Sequence, residues 1–557
     1  MTAANALLVA LAAASWLALV ARIAAVAARM LQIEEYENRR FLAWACHPGW
    51  LAHRSALGGA TVALAGLVLA QLDAGAATPI VAASWLAAAV AGHLAWRWVP
   101  PKRALSLTAR MRRLLAASAL MAIAISAAVA LLVLAAPRPA AVAVLVATGG
   151  VTALVAVLLV LGELSMRPAE AGVRRHYLRR ARGRVAELDP LVVAVAGSYG
   201  KTSTKHILAR LLGEGVLPTR KSFNTLMGVT RVVNEDLRAE HRVFIVEMDA
   251  YAPGEIESIS ALVRPRFAIL TSVGPQHLER FGTLARIEDA LYESVAALPP
   301  DGTAVIHTGD AGGRALALRA RGEHRTVVRY ALEESDGDAD VSVSAVEVGS
   351  AGTTFEWRWA SRRLEHAVAI PLLGRHQALN VAAALAMVVV LDRSLDDALA
   401  AVVTLEPVEH RLQTLHTGGP VTVIDDSYNA NPVGVHEGLE VLASFPAGAK
   451  ILVTPGLVEL GSVEDEENRR YGRHAAAVCD HVIVAEARPA AALLAGLREG
   501  GMSQERIHRV SSLAETTAMI GRIAAPGDTV LFANDLPDTY IRNPVRRPAA
   551  TATGTGR

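Results

Sequence analysis

Residues 191–213 read LVVAVAGSYGKTSTKHILARLLG. An apolar run of strand length ends in a glycine-bounded turn, and a helix follows with apolar residues at Ile207, Leu208, Leu211 and Leu212. A strand, a glycine loop and a helix N-terminus together form a phosphate cradle, because backbone N–H groups and the helix dipole both face the anion. In this cradle Gly197, Ser198, Gly200 and Ser203 line the loop and first turn. Lys201 reaches the terminal phosphates, and the Thr202 hydroxyl is placed to ligate magnesium. The longer form of such loops has a further glycine five positions before Gly200, where this chain has Val195. The loop is therefore of a shorter G-x-x-G-K-T form, and the cofactors it predicts are ATP and Mg2+.

Two more groups share the edge where that loop lies. The apolar run Val243 to Val246 ends in Glu247, and the run Phe267 to Val273 precedes His277. Both fall beyond strand C-termini, where open α/β sheets bind ligands. An acid that closes an otherwise apolar strand needs a cation or a hydrogen-bond donor. A lone histidine after a strand is more often structural, so His277 draws its weight from the segment around it.

The elements that position these groups occupy only part of the chain. Its 557 residues suggest two to four domains. Up to about Leu161 the sequence is dominated by Ala, Leu and Val; from Arg167 onward charged residues reach ordinary globular density. Five apolar stretches, roughly 4–21, 56–72, 78–96, 114–136 and 139–161, are long enough to span a bilayer. The first has no basic residue before it and reads as a retained anchor. Basic residues cluster after stretches one, three and five, whereas the loops after two and four hold only Arg138. This places the N-terminus outside and everything after the fifth stretch in the cytoplasm of a multi-pass membrane protein. His93 and Glu163, the ionisable residues within spans, lie near span ends, so the helices read as an anchor rather than a transport path. A formal net charge of +2 gives no basis for a nucleic-acid partner. Cys46 and Cys479 support neither a disulfide framework nor a thiolate metal site.

Seven segments in order, GSYGKTSTK, FIVEMDAYAPGEI, TSVGPQHLERFG, GRHQALNVAAALA, EHRLQ, IDDSYNANP and VTPGLVELG, resemble the Mur ligase family over about 188–545. Within it the nearest likeness is to the branch that adds D-alanyl-D-alanine to muramyl peptides. The resemblance implies that Glu247 and His277 help hold the magnesium ions bridging ATP and an acyl phosphate, with Lys201, Glu247 and His277 catalytic. It also implies that Asn380, with His376, lies near the adenine, and that Arg411 at the hinge approaches the phosphates. Asp426 would contact ATP as the last domain closes, although Asp425 and Asp426 also suit a turn and cap before the next helix.

Two departures stand out. Where the family carries a carbamylated lysine that ligates a second magnesium, this chain has Leu291, with Glu288, Asp289 and Glu293 as nearby replacements. The family's UDP-binding first domain has no counterpart: about 30 residues separate Leu161 from the glycine-loop strand, too few for a domain.

The fold class expected is an α-helical membrane region followed by α/β. Residues 1–165 form the membrane domain, 166–187 a cytoplasmic linker helix and 188–405 a P-loop central ATPase domain. Within that domain, 326–370 should form a small side sheet, from the alternation in VSVSAVEV and FEWRW. Residues 406–545 form a Rossmann-like C-terminal domain, and 546–557 a disordered tail. The function implied is an ATP-dependent amide-bond ligase that joins an amino acid or dipeptide amine to a soluble or lipid-linked cell-wall precursor at the cytoplasmic membrane face. Other wall-synthesis proteins are further partners. Two alternatives stay open: a ligase of another polymer such as poly-γ-glutamate, and a catalytically weak ATP-binding membrane scaffold.

Overall fold

The computed structural model describes residues 3–34, 36–46, scattered positions between 82 and 90, 105–134, 140–415, 419–428, 430–487 and 489–535. The second apolar stretch, most of the third and the tail at 546–557 lie outside the described residues. The chain divides into two compact units, one within residues 1–174 and the other Arg175–Pro544.

The first unit is helical: Ala3–Ile33, Asn38–Ala45, Ala109–Leu134 and the start of Ala140–Leu188. Trp16, Leu19, Ile23, Leu31, Phe41, Met111 and Leu159 pack together as its core. Glu163 is buried but paired, accepting from Asn38 Nδ2 at 2.8 Å and from Arg167 Nε at 3.1 Å. Among the described residues only Ala3–Ile33 is long and apolar enough by length and composition to cross a membrane, so the expected five spans rest on one such helix here. The fifth stretch and the residues 166–187 lie in one helix, Ala140–Leu188.

In the second unit, β1 (Leu191–Ala196), β2 (Val216–Pro218), β3 (Val243–Glu247), β4 (Phe267–Leu270), β5 (Thr303–His307), β6 (Thr326–Leu332), β7 (Val341–Gly349), β8 (Gly352–Trp359) and β9 (Leu364–Ile370) form one sheet. Its order is β2-β3-β1-β4-β5-β6-β7-β8-β9. Pairing is parallel from β2 to β7 and antiparallel through β7, β8 and β9. The small side sheet expected over 326–370 is therefore the far edge of the main sheet. The reason is visible in the ladder: β6 bonds to β5 and β7 to β6, leaving no gap for a separate sheet. The alternation itself was legible, since Phe355, Trp357 and Trp359 turn inward. They join a core shared with the apolar helix Arg375–Val390.

β10 (Gln413–Leu415), β11 (Thr422–Asp426), β12 (Lys450–Thr454), β13 (His481–Ala485), β14 (Ile507–Val510) and β15 (Thr529–Ala533) form a second sheet ordered β10-β11-β15-β12-β13-β14. All of its pairs are parallel except β10 with β11. Leu439, Leu442, Leu452, Tyr471, Val482 and Leu531 lie in its core.

Candidate active site

Register decides what the first sheet presents at its C-terminal edge. Val195 pairs with Glu247 and Ala196 with Leu270, so the glycine loop, Glu247 and the segment leading to His277 all leave the sheet at one level. Two glycines shape the loop. Gly197 has φ +139°, and a Cβ there would lie 2.0 Å from Thr271 Oγ1; Gly200 has φ +81°, with Asn380 Oδ1 2.6 Å from the corresponding point. A side chain at either position would be strained and would also collide. Ser198 ties the loop to the next segment by accepting from Gly274 N at 3.0 Å and donating to Gly274 O at 3.0 Å.

Lys201 begins the helix Lys201–Leu212 and is buried. Its Nζ donates to Gly197 O at 2.5 Å and Ser198 O at 3.2 Å, and it lies 3.3 Å from Asp249 Oδ1. Thr202 Oγ1 donates to Glu247 Oε1 at 3.0 Å, and Asn224 Nδ2 donates to the same oxygen at 3.1 Å. The other oxygen, Oε2, takes a 2.8 Å bond from Lys205 Nζ, which also donates to Lys221 O at 2.6 Å. Burial alone would raise the Glu247 carboxyl, but Lys205, Lys201 and the Thr202 hydroxyl bring it below the usual range, so it is ionised. Ser203 is buried in the first turn of the same helix.

His277 sits in the left-handed region at φ +57°, immediately before the short helix Leu278–Phe281. Its Nδ1 is 2.7 Å from Glu459 Oε2 on the loop after β12, and the Tyr251 ring meets it edge-on at 4.6 Å. Its Nε2 is buried without a hydrogen-bond partner.

Asn380 lies beneath the glycine loop. Its Oδ1 accepts from Thr204 at 3.1 Å and its Nδ2 donates to Gln377 Oε1 at 3.0 Å, so its amide braces the loop from inside the fold. Arg411 lies over the Tyr428 ring at 5.0 Å, and the Tyr428 hydroxyl meets Ser222 Oγ at 2.9 Å. Asp426 accepts from Leu412 N at 3.2 Å; burial pushes its carboxyl up to about 6 despite the nearby Arg411 and His376. Asp425 forms the turn, accepting from Ser427 N at 3.0 Å, and Asn431 caps the helix Pro432–Ala443.

Two of the three acids considered in place of the missing lysine have other work. Glu293 accepts from Gly254 N at 2.6 Å and Glu257 N at 2.9 Å, capping the helix Glu255–Val263. Asp289 is exposed and pairs with Arg319 at 2.9 Å. Leu291, at 4% exposure, packs in the apolar core with Ile287 and Val295. Among the described residues no three His, Cys, Asp or Glu side chains are grouped to hold a metal. Lys205, Asn224, Asp249 and Glu459 were not singled out from the sequence. Lys205 had a signal, lying one helical turn after Lys201; the other three meet the site only through the fold.

An open, mostly parallel sheet with a glycine loop and buried lysine at its carboxyl edge, joined to a second α/β sheet, defines a nucleotide-using α/β enzyme. The Mur ligase middle domain matches residues 195–388, and the Mur ligase, glutamate ligase domain matches 410–534. The UDP-N-acetylmuramoyl-tripeptide–D-alanyl-D-alanine ligase of Escherichia coli is 30% identical over 341 residues, covering 60% of this chain and 70% of that protein. Its Bacillus subtilis counterpart is 27% identical over 358 residues, covering 63% and 74%. The crystal structure of MurF from Acinetobacter baumannii superimposes with a TM-score of 0.58 at 26% identity, covering 66% of this chain and 78% of that one. For the Thermotoga maritima MurF ligase in complex with ADP the values are 0.56, 27%, 66% and 81%. The chain belongs to the Mur ligase family and is an ATP-dependent carbon–nitrogen ligase.

Proposed function

We propose that this ligase joins a D-alanyl-D-alanine amine to the terminal carboxylate of a muramoyl tripeptide, a peptidoglycan precursor, at the cytoplasmic face of the membrane. The observation that carries this is the meeting of the Lys201 loop, Glu247 and His277 at one sheet edge, with Glu459 of the second sheet's loop bonded to His277. The names of the relatives supply the substrates. A substrate carboxylate oxygen attacks the γ-phosphorus of ATP, ADP leaves, and an acyl phosphate remains. The amine nitrogen then attacks the acyl carbon, phosphate departs, and the nitrogen loses a proton.

Lys201 stabilises charge on the transferred phosphoryl group, the main source of rate in such chemistry. Thr202, Glu247 and His277 are the residues we assign to a magnesium ion. Their fit rests on the Thr202–Glu247 contact and on the partnerless Nε2 of His277. When bound, such an ion would neutralise charge on the phosphate oxygens. The membrane location is supported by exposed apolar side chains at Leu7, Leu11 and Leu17 on Ala3–Ile33 and at Leu120, Ile123 and Leu131 on Ala109–Leu134.

Phosphate release by the full chain in nanodiscs should require ATP, UDP-muramoyl-tripeptide and D-alanyl-D-alanine together, and Lys201→Ala should abolish it. Release that ignores the dipeptide, or survives Lys201→Ala, refutes the assignment. Reporters fused after Arg184 and near Pro137 should lie inside and outside respectively. A reversed pattern excludes the proposed orientation.

A further inference from the structure

We infer that Glu459 is a positioning residue which fixes the ring tautomer of His277, so that the second sheet prepares a group on the first. The inference rests on the ligase reading for its kinetic consequence alone. Glu459 lies in the loop after β12, at φ +66° between Gly456 at φ +90° and Gly461 at φ +58°. A non-glycine residue in the left-handed region persists only where its surroundings hold it there. Here Asn468, fully buried, provides that hold: it accepts from Leu457 N at 2.9 Å and donates to Leu457 O at 3.0 Å and Glu464 O at 2.8 Å.

From this rigid loop Glu459 grips the start of the helix Leu278–Phe281 at two points. Its carboxylate meets His277 Nδ1 at 2.7 Å and its carbonyl accepts from Glu279 N at 3.2 Å. The backbones are so close here that a Cβ on Gly461 would lie 3.4 Å from Glu279 N.

An ionised carboxylate can only accept, so the proton of the shared bond belongs to Nδ1. In a neutral imidazole the lone pair then falls on Nε2, the buried atom without a partner. Tyr251, edge-on at 4.6 Å, restricts the ring plane. His277 thus carries its lone pair on the nitrogen that Glu459 does not occupy, and it does so only while the second sheet's loop is docked. A carboxylate behind a functional histidine commonly serves this purpose.

The test uses the full chain, labelled with 15N-histidine, in nanodiscs. The 17 histidines are resolved by assigning His277 through the signals lost in His277→Asn. The parent ring should be protonated at Nδ1. In Glu459→Leu, which offers Nδ1 no acceptor, the single tautomer should give way to a mixture with Nε2–H populated, and kcat should fall by about 10- to 100-fold. Glu459→Gln, whose Oε1 can still accept from Nδ1–H, should keep the parent's tautomer. KM for ATP and the melting temperature should stay near the parent's. A parent ring protonated at Nε2 overturns the inference, and so does a Glu459→Leu ring or kcat like the parent's. Loss of KM and melting temperature in step with kcat would show a merely structural contact and overturn it too. If the variant does not fold, the parent's tautomer decides. A parent with no turnover but the expected tautomer sinks the ligase assignment and spares this one.

Discussion

Replacing Leu291 with lysine restores the residue type that the family resemblance places there, yet the packing around it predicts damage. Leu291 is 4% exposed and surrounded by apolar side chains of the helix Leu284–Ala296 and its sheet. A lysine at that site has two unfavourable choices. Kept charged, it carries an unpaired cation into the core; neutralised, it must release a proton against a normal value near 10.4. At pH 7 the second route costs about 4 to 5 kcal/mol, at roughly 1.4 kcal/mol per pH unit. Loss of leucine packing adds to this, though the lysine stem recovers part of it. The sign of the pH dependence follows. The folded pKa lies below the unfolded one, so the deficit vanishes above the unfolded value and grows as pH falls toward the folded one. Chemical denaturation of Leu291→Lys and parent at pH 7, 8 and 9 should therefore show a gap that narrows by roughly 1.4 kcal/mol per unit. Leu291→Met, similar in volume, should cost under about 1.5 kcal/mol. A lysine variant as stable as the parent at pH 7, or one whose activity rises in bicarbonate buffer, would refute this reasoning. It would show instead that the helix opens toward the site.

Three further outcomes are expected. Glu293→Ala should remove the cap on the helix Glu255–Val263 and cost about 1 kcal/mol while leaving turnover near the parent's at saturating ATP and magnesium; a turnover collapse in a folded variant would return Glu293 to the metal site. Lys205→Met should strand the buried Glu247 carboxylate and cost about 3 to 5 kcal/mol, measured by denaturant melts, whereas a cost below 1 kcal/mol would mean the pair is not formed. The Asp426 carboxyl is raised to about 6, so its contribution to stability is fully present below its unfolded value near 4 and is lost as pH rises through 6. Asp426→Asn should accordingly flatten the parent's stability profile between pH 4 and 6, and an unchanged profile would contradict the buried placement.

Local order was legible wherever one segment carries its own pattern. The apolar run into GSYGKTSTK announces β1, its loop and its helix, and the alternation in FEWRW announces β8. What escaped was set by pairing between distant segments. That β6 to β9 extend the main sheet depends on β6 meeting β5, which no local signal encodes. Glu293 illustrates the same limit. From the sequence it is an acid near a vacant ligand position, but in the fold it faces the N-terminus of another helix 36 residues away, where two amide groups claim it. Asn380 was chosen for its segment and lies beneath the glycine loop, because the helix Arg375–Val390 packs against Lys201–Leu212.

The two lysines of GSYGKTSTK, one turn apart, are held in ways that suit different tasks. Lys205 and Glu247 are fully buried, bonded at 2.8 Å, and Lys205 is also tied to a backbone carbonyl. Separating them would leave uncompensated charge in a buried site, which opposes opening of this pair. Lys201 instead rests on carbonyls of its own loop and on Asp249 at 3.3 Å, a longer ion contact with a carboxylate that is less deeply buried. A phosphate oxygen offers it a charge-assisted bond stronger than either neutral carbonyl can give. Under the proposed function, nucleotide entry therefore transfers Lys201 from its loop to the phosphates. Lys205 holds one oxygen of Glu247, and the other is shared by Thr202 and Asn224, where under the proposed function it would help to hold the magnesium ion.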